Sequence, residues 1–179
     1  MGRGVGFAVL AALLVLILAG MVAGWRARGR RSALLLDALP QVPQAEALGP
    51  ALHGPFPGTY VSTTVAGEWL ERVVAHGLGV RSAASVTVHT GGVLVARTGA
   101  PDLYLAAGNL RDVERAPAIA GKAVGRDGLV VIRWSSTAAQ NPAFDTGLRL
   151  RHAADRDVLT AAVAGLVPAA AHPSSEENV

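Results

Sequence analysis

Cysteine is absent from this sequence, which excludes disulfides, thiolate metal sites and a cysteine nucleophile. A reducing compartment is compatible with that composition. Aromatic residues are scarce, at 4%, whereas a nucleic-acid domain needs them interleaved along a basic stripe. The arginines here are scattered instead, so no nucleic acid partner is expected. Lysine occurs only at Lys122. The formal net charge of +3 comes from 16 basic and 13 acidic residues. Setting aside Arg26, Arg28, Arg30 and Arg31 leaves 12 basic against 13 acidic residues, so the pI near 10.2 belongs largely to one short segment.

Motifs of catalysis are also missing. There is no G-x-S-x-G elbow, and no serine has an aspartate and a histidine in a recognisable order around it. His53, His76, His89, His152 and His172 lie far apart, with no H-E-x-x-H and no pair three or four residues apart, the spacing by which a helix presents a metal site. His76, beside Gly77, reads as a helix-end residue. AGKAVGRDG holds Gly121, Lys122 and Gly125 but lacks the phosphate-loop pattern. Asp102, Asp112 and Glu114 stand among arginines and read as a salt-bridged surface. An enzyme is not expected, and neither is a cofactor, a metal ligand or a catalytic residue.

What the sequence does contain is one long apolar run, Val5 to Trp25, without a charge. As a helix it covers about 31 Å, close to the hydrocarbon thickness of about 30 Å. A cleaved signal needs an apolar core of about 7–15 residues and small residues at the cut. This run is longer, and Met21 stands where a cut after Ala23 would want a small side chain. A membrane-spanning helix over 5–25 is therefore predicted. Arg3 precedes it, whereas Arg26, Arg28, Arg30 and Arg31 follow it directly, with Trp25 at the junction. The positive-inside rule puts the N-terminus outside and the remainder in the cytoplasm, as a single-pass plasma-membrane protein. Trp25 and the four arginines are the expected flank at the lipid bilayer.

Residues 26–58 read as a connector: SALLLDAL continues the helix for a few turns, or lies in the interface, or packs on the domain. Beyond it, Pro40, Pro43, Pro50, Pro55 and Pro57 break regular structure. As a flexible tether of about 20 residues it would reach about 25 Å. A single domain is expected over 59–166. TYVSTTV reads as its first strand, and Trp69, Leu70, Val73 and Val74 show helical spacing. SVTVHT and VLVART flank Gly91 and Gly92 as a hairpin. DLYLAA is a strand and NLRDVERA a loop or helical turn. KAVGRDGLVVIRW reads as a second hairpin with GRDG at its tip and Val130, Ile132 and Trp134 on one face of a buried strand, and FDTGLRLR alternates, with Phe144, Leu148 and Leu150 inward and Asp145, Arg149 and Arg151 outward. Ala154 to Leu166 is an amphipathic helix started by Asp155 or Asp157, and 167–179 is a polar tail expected to be disordered.

Six or seven strands closed by one helix describe a small antiparallel barrel or sandwich. The segments RVVAHGLG, AGKAV…DGLVVIRW and FDTG, within a stretch from Gly58 to Leu166, resemble the pleckstrin-homology-like (PH-like) domain of actinobacterial single-span membrane proteins. That resemblance implies two near-orthogonal antiparallel sheets with a helix plugging one corner. Lipid-binding PH domains gather Lys and Arg on a hairpin loop, and here the tip at Thr90, Gly91 and Gly92 has none. Only Lys122 and Arg126 flank a hairpin together as candidates for an anionic headgroup contact. The expected function is a membrane-anchored, non-catalytic PH-like binding module. It would display a protein- or peptide-binding surface at the cytoplasmic face, by a strand edge or the groove beside the C-terminal helix. The alternatives are an accessory subunit of a larger membrane complex, suggested by the Gly20/Gly24 spacing, and an anionic-lipid sensor.

Overall fold

The computed structural model describes residues 2–36, 38–123, 128–136 and 142–168. Helix α1 spans Gly2–Leu35 and so contains the whole apolar run. Apart from Gly6 and Phe7, the side chains described in it are those of 10–24. Among the described residues no helix is long and apolar enough to cross a membrane. Where α1 ends, the chain does not become a free tether. A short helix α2 (Ala45–Leu48) is followed by β1 (Ala51–Val65), which starts well before Thr59 and includes Pro55 and Pro57. Both prolines are tolerated for a topological reason. β1 meets its second neighbour only from Gly58 onward, so the missing N–H groups interrupt no ladder on that side.

β1 is the strand on which the sheet is built. With β3 (Ser82–His89) it pairs over Ala51–Tyr60, and with β10 (Ala143–Leu150) over Gly58–Val65, antiparallel in both cases. One wing continues from β3 to β4 (Gly92–Arg97) and β5 (Leu103–Ala106); the other runs from β10 to β9 (Leu129–Ser135) and β6 (Leu110–Ala116). A register shift between Tyr60 and Ser62 turns β1 between the two wings. Tyr60 therefore faces the main core, while Val61 joins a second cluster with Ile119, Leu129 and Val131.

The hairpin at Gly91–Gly92 forms as expected. Gly92 has φ +151°, and a side chain there would collide with the Leu105 carbonyl of β5. Val130, Ile132 and Trp134 share the inner face of β9 and are fully buried, as are Phe144 and Leu148 on β10. The final helix α3 (Ala153–Ala164) lays Leu159 and Val163 onto this core. Burying each is worth about 1.5–3 kcal/mol. Neither Asp155 nor Asp157 caps it; the N-cap is His152, without a side-chain cap bond. The expected tail lies outside the described residues from 169 onward.

Three further expectations need correction. GEWLERVV is not helical: β2 (Glu68–Arg72) folds back on β1 through Gly67, whose φ of +81° makes the tight turn, and Val73 N–H donates to the Thr63 carbonyl at 3.0 Å. Apolar residues at 69, 70, 73 and 74 imitate a helical stripe, but tertiary pairing takes a segment too short to hold a helix alone. NLRDVERA is strand β6, at the sheet edge, where charge is normal and hides the alternation. Finally, Lys122–Ala123 (β8) does not pair with LVVIRW; it pairs with Ala118–Ile119 (β7) across Ala120 and Gly121, both at positive φ. The cause is a seat for Ile119 on Gly147, where a Cβ would stand 2.7 Å from Ile119 Cγ2.

Candidate functional site

The segment after α1 docks into the domain. Leu36 is 1% exposed and part of the main core, and its carbonyl accepts a hydrogen bond from His76 Nε2 at 2.8 Å. His76 is thus no helix-end residue. It sits in a tight turn, Ala75–Gly77, at φ +53°.

That turn is fastened from below by Arg97, only 6% exposed. Its Nη2 donates to the carbonyls of Gly77 (2.7 Å) and Val80 (3.1 Å), Nη1 to that of Pro101 (3.3 Å), and Nε to Ser82 Oγ (3.4 Å). The guanidinium lies 4.0 Å from the Tyr60 ring centroid, a cation–π contact. Burial lowers the Arg97 pKa, against the opposing pull of Tyr60 and Asp102. Beneath it, the Tyr60 hydroxyl donates to the Leu78 carbonyl at 2.7 Å and lies 2.7 Å from Thr63 Oγ1. Thr63 meets Thr146 at 2.8 Å, and Trp134 Nε1 donates to Thr146 Oγ1 at 2.9 Å. Burial pushes the Tyr60 pKa up to about 12.

From Leu36 the chain continues along the domain to the first hairpin tip. Gly91 N–H donates to the Leu48 carbonyl (3.0 Å) and Thr90 N–H to that of Pro50 (3.2 Å). A Cβ at Gly91 would stand 2.9 Å from the carbonyl oxygens of Ala47 and Leu48. The tip that lacks cations is therefore covered by the chain's own N-terminal segment.

The cations converge elsewhere. A cleft of about 620 Å³ opens where β1, β3 and β10 meet the start of α3, within the range of about 300–1,000 Å³ usual for ligand sites. Its floor is small: Gly58 and Thr59 on β1, Ala83 and Ala84 on β3. Thr59 pairs with Ala83 on one side and Arg149 on the other, so these three cross the sheet in one row. Arg149 stands on β10 and Arg151 in the bend just beyond its end, and Arg156, in the early part of α3, completes the lining. No Asp or Glu lines the cleft among the described residues. Arg133 is held by Asp145 through two bonds of 2.8 and 3.0 Å, and Arg115 pairs with Asp157. Arg149 and Arg151 have no side-chain partner among the described residues.

The sequence-predicted site residues fall differently. The backbones of Trp25, Arg26, Arg28, Arg30 and Arg31 belong to α1, and their side chains lie outside the described residues. Lys122 is in β8, its side chain and all of Arg126 likewise outside them. Among the described residues no group of His, Cys, Asp and Glu is arranged to hold a metal ion. Sequence reasoning marked Arg149 and Arg151 as outward-facing but missed their meeting with Arg156. The alternation of FDTGLRLR carried half the signal; only the turn at Arg151–His152 brings α3 back beside β10.

An antiparallel sheet in two wings around one shared strand, closed by a C-terminal helix and marked by a cationic cleft, defines a PH-like module of the binding kind. Residues 36–164 match the model of a family described as Bacterial PH domain-like. The chain belongs to that family. No curated protein matches it, and no solved structure does. The matched region begins at Leu36, the residue that plugs the N-terminal segment into the core.

Proposed function

We propose that this chain is a membrane-anchored, non-catalytic binding module that holds its PH-like domain at the cytoplasmic face of the plasma membrane for an acidic partner. The observation that carries the reading is the union of two parts. Leu13, Leu14, Val15, Leu16, Ile17 and Leu18 are all more than half exposed on α1, consecutive residues that cover every side of the helix. A helix apolar all round needs an apolar surrounding. Directly after α1, Leu36 fixes the chain in the domain. The four arginines between them support the orientation. The groove beside α3, with its three arginines, is the surface we assign to that partner, whose acidic groups it complements.

Because the chain has no native cysteine, single-cysteine labelling tests this cleanly. The chain should remain in the membrane pellet through alkaline carbonate extraction. Gly2→Cys should react with an impermeant maleimide in intact cells, and Ser174→Cys only after permeabilisation. Release by carbonate, or labelling of Ser174→Cys in intact cells, would overturn the anchor or its direction.

A further inference from the structure

We infer that the cleft of Arg149, Arg151 and Arg156 is a binding site for a phosphate group. This deepens the proposed function by naming the chemistry its acidic partner offers. Three arginines line one concavity, and among the described residues no Asp or Glu lines it. Two of the three cations have no side-chain partner, although Arg133 and Arg115 on neighbouring strands each have one. Like charges left together without a counter-ion repel, and an anion placed between them removes that repulsion. Guanidinium forks match the oxygens of phosphate in bidentate pairs, which a lysine cannot do. The floor of Gly58, Ala83 and Ala84 leaves room for the group, and Thr59, which also lines it, carries a hydroxyl able to donate.

Position separates this cleft from the hairpin tip. The tip is occupied by Leu48 and Pro50, whereas the cleft opens at the beginning of β3. Arg97 bonds both Gly77 and Ser82, so the floor at Ala83 is next to the turn that receives Leu36. The phosphate can then come from a lipid headgroup beside α1 or from a soluble phosphate ester, and the same three arginines would hold either.

The full chain is tested in lipid nanodiscs, reading hydrogen–deuterium exchange over 149–156. One arm compares phosphatidylcholine discs with discs containing phosphatidylglycerol. The second adds glycerol 3-phosphate to phosphatidylcholine discs. Exchange slowed at least threefold in the first arm assigns a headgroup; the same slowing in the second assigns a soluble ester. In either case Arg149→Gln/Arg151→Gln/Arg156→Gln should abolish the effect while β9 keeps its protection. No slowing in either arm, or slowing that survives the triple substitution, overturns the phosphate site. A chain that does not enter discs overturns the anchor instead, and the glycerol 3-phosphate arm, run in solution, still decides the cleft.

Discussion

Tyr60 shows how much one residue can hold. Its ring lies under Arg97, its hydroxyl bonds the carbonyl of Leu78, and Thr63 and Thr146 extend the contact to Trp134. Tyr60→Phe removes the hydroxyl that bonds the Leu78 carbonyl and Thr63 Oγ1, while the Thr63 N–H still donates to that carbonyl at 3.1 Å, so a loss of about 0.5–1.5 kcal/mol is expected in urea unfolding. The same residue sets an alkaline limit. Its pKa is raised from 10.0 to about 12 by burial, so the folded state keeps the proton that the unfolded state releases. The stability it contributes is complete below about pH 10 and is lost as pH rises toward about 12, by on the order of 2–3 kcal/mol. Unfolding curves between pH 8 and pH 11.5 should fall more steeply for the native chain than for Tyr60→Phe. Tyr104, also raised by burial, leaves the variant a residual slope. None of this network is visible in TYVSTTV, which announces a strand and no more, because its distant partners come from β4, β9, β10 and the 75–80 turn.

Among elements, β1 and the segment before it changed most between sequence and structure. Proline density in 40–58 argues for a loose connector, and that argument is sound for an isolated chain. It fails here because the first half of β1 has a neighbour on only one side, and because Leu36 has a pocket to enter. A fragment beginning at Gly58 loses Leu36 and the Ala51–Pro57 pairing with β3. It should unfold at clearly lower urea concentration than one beginning at Ser32 and ending at Pro168. Leu36→Ala in the longer fragment should cost about 2–5 kcal/mol, the usual range for emptying a buried leucine site. Equal stability of the two fragments would show that the N-terminal segment lies on the domain without supporting it. Strands β3, β4, β5, β9 and β10 were legible, since each alternates or carries turn glycines. The edge strand β6 and the short β2 were not, because charge masked one and an accidental helical spacing the other.

For the molecule as a whole, docking of Leu36 replaces a tether of about 25 Å reach with a fixed joint. Spin labels at Met21→Cys in α1 and Val158→Cys on the exposed side of α3, introduced into the cysteine-free chain, should give a narrow distance distribution. Leu36→Ala should broaden it. A broad distribution in the otherwise native chain would restore the tether and detach the orientation of the cleft from that of α1. With a fixed joint the surface of three arginines is presented in one direction, not swept through a volume.

The sequence by itself determined the apolar N-terminal run, the mainly β character of the domain behind it, the closing amphipathic helix and the inward residues of β9 and β10. These depend on periodicity and composition, which are local properties of the chain. Only the tertiary structure decided that β1 starts at Ala51, that Leu36 belongs to the core, and that Arg149, Arg151 and Arg156 share one cleft. Each of these depends on residues far apart in sequence meeting in space. A cluster of cations drawn from a strand end and the helix behind it leaves no spacing to read, since its members are joined by a turn whose direction the core sets.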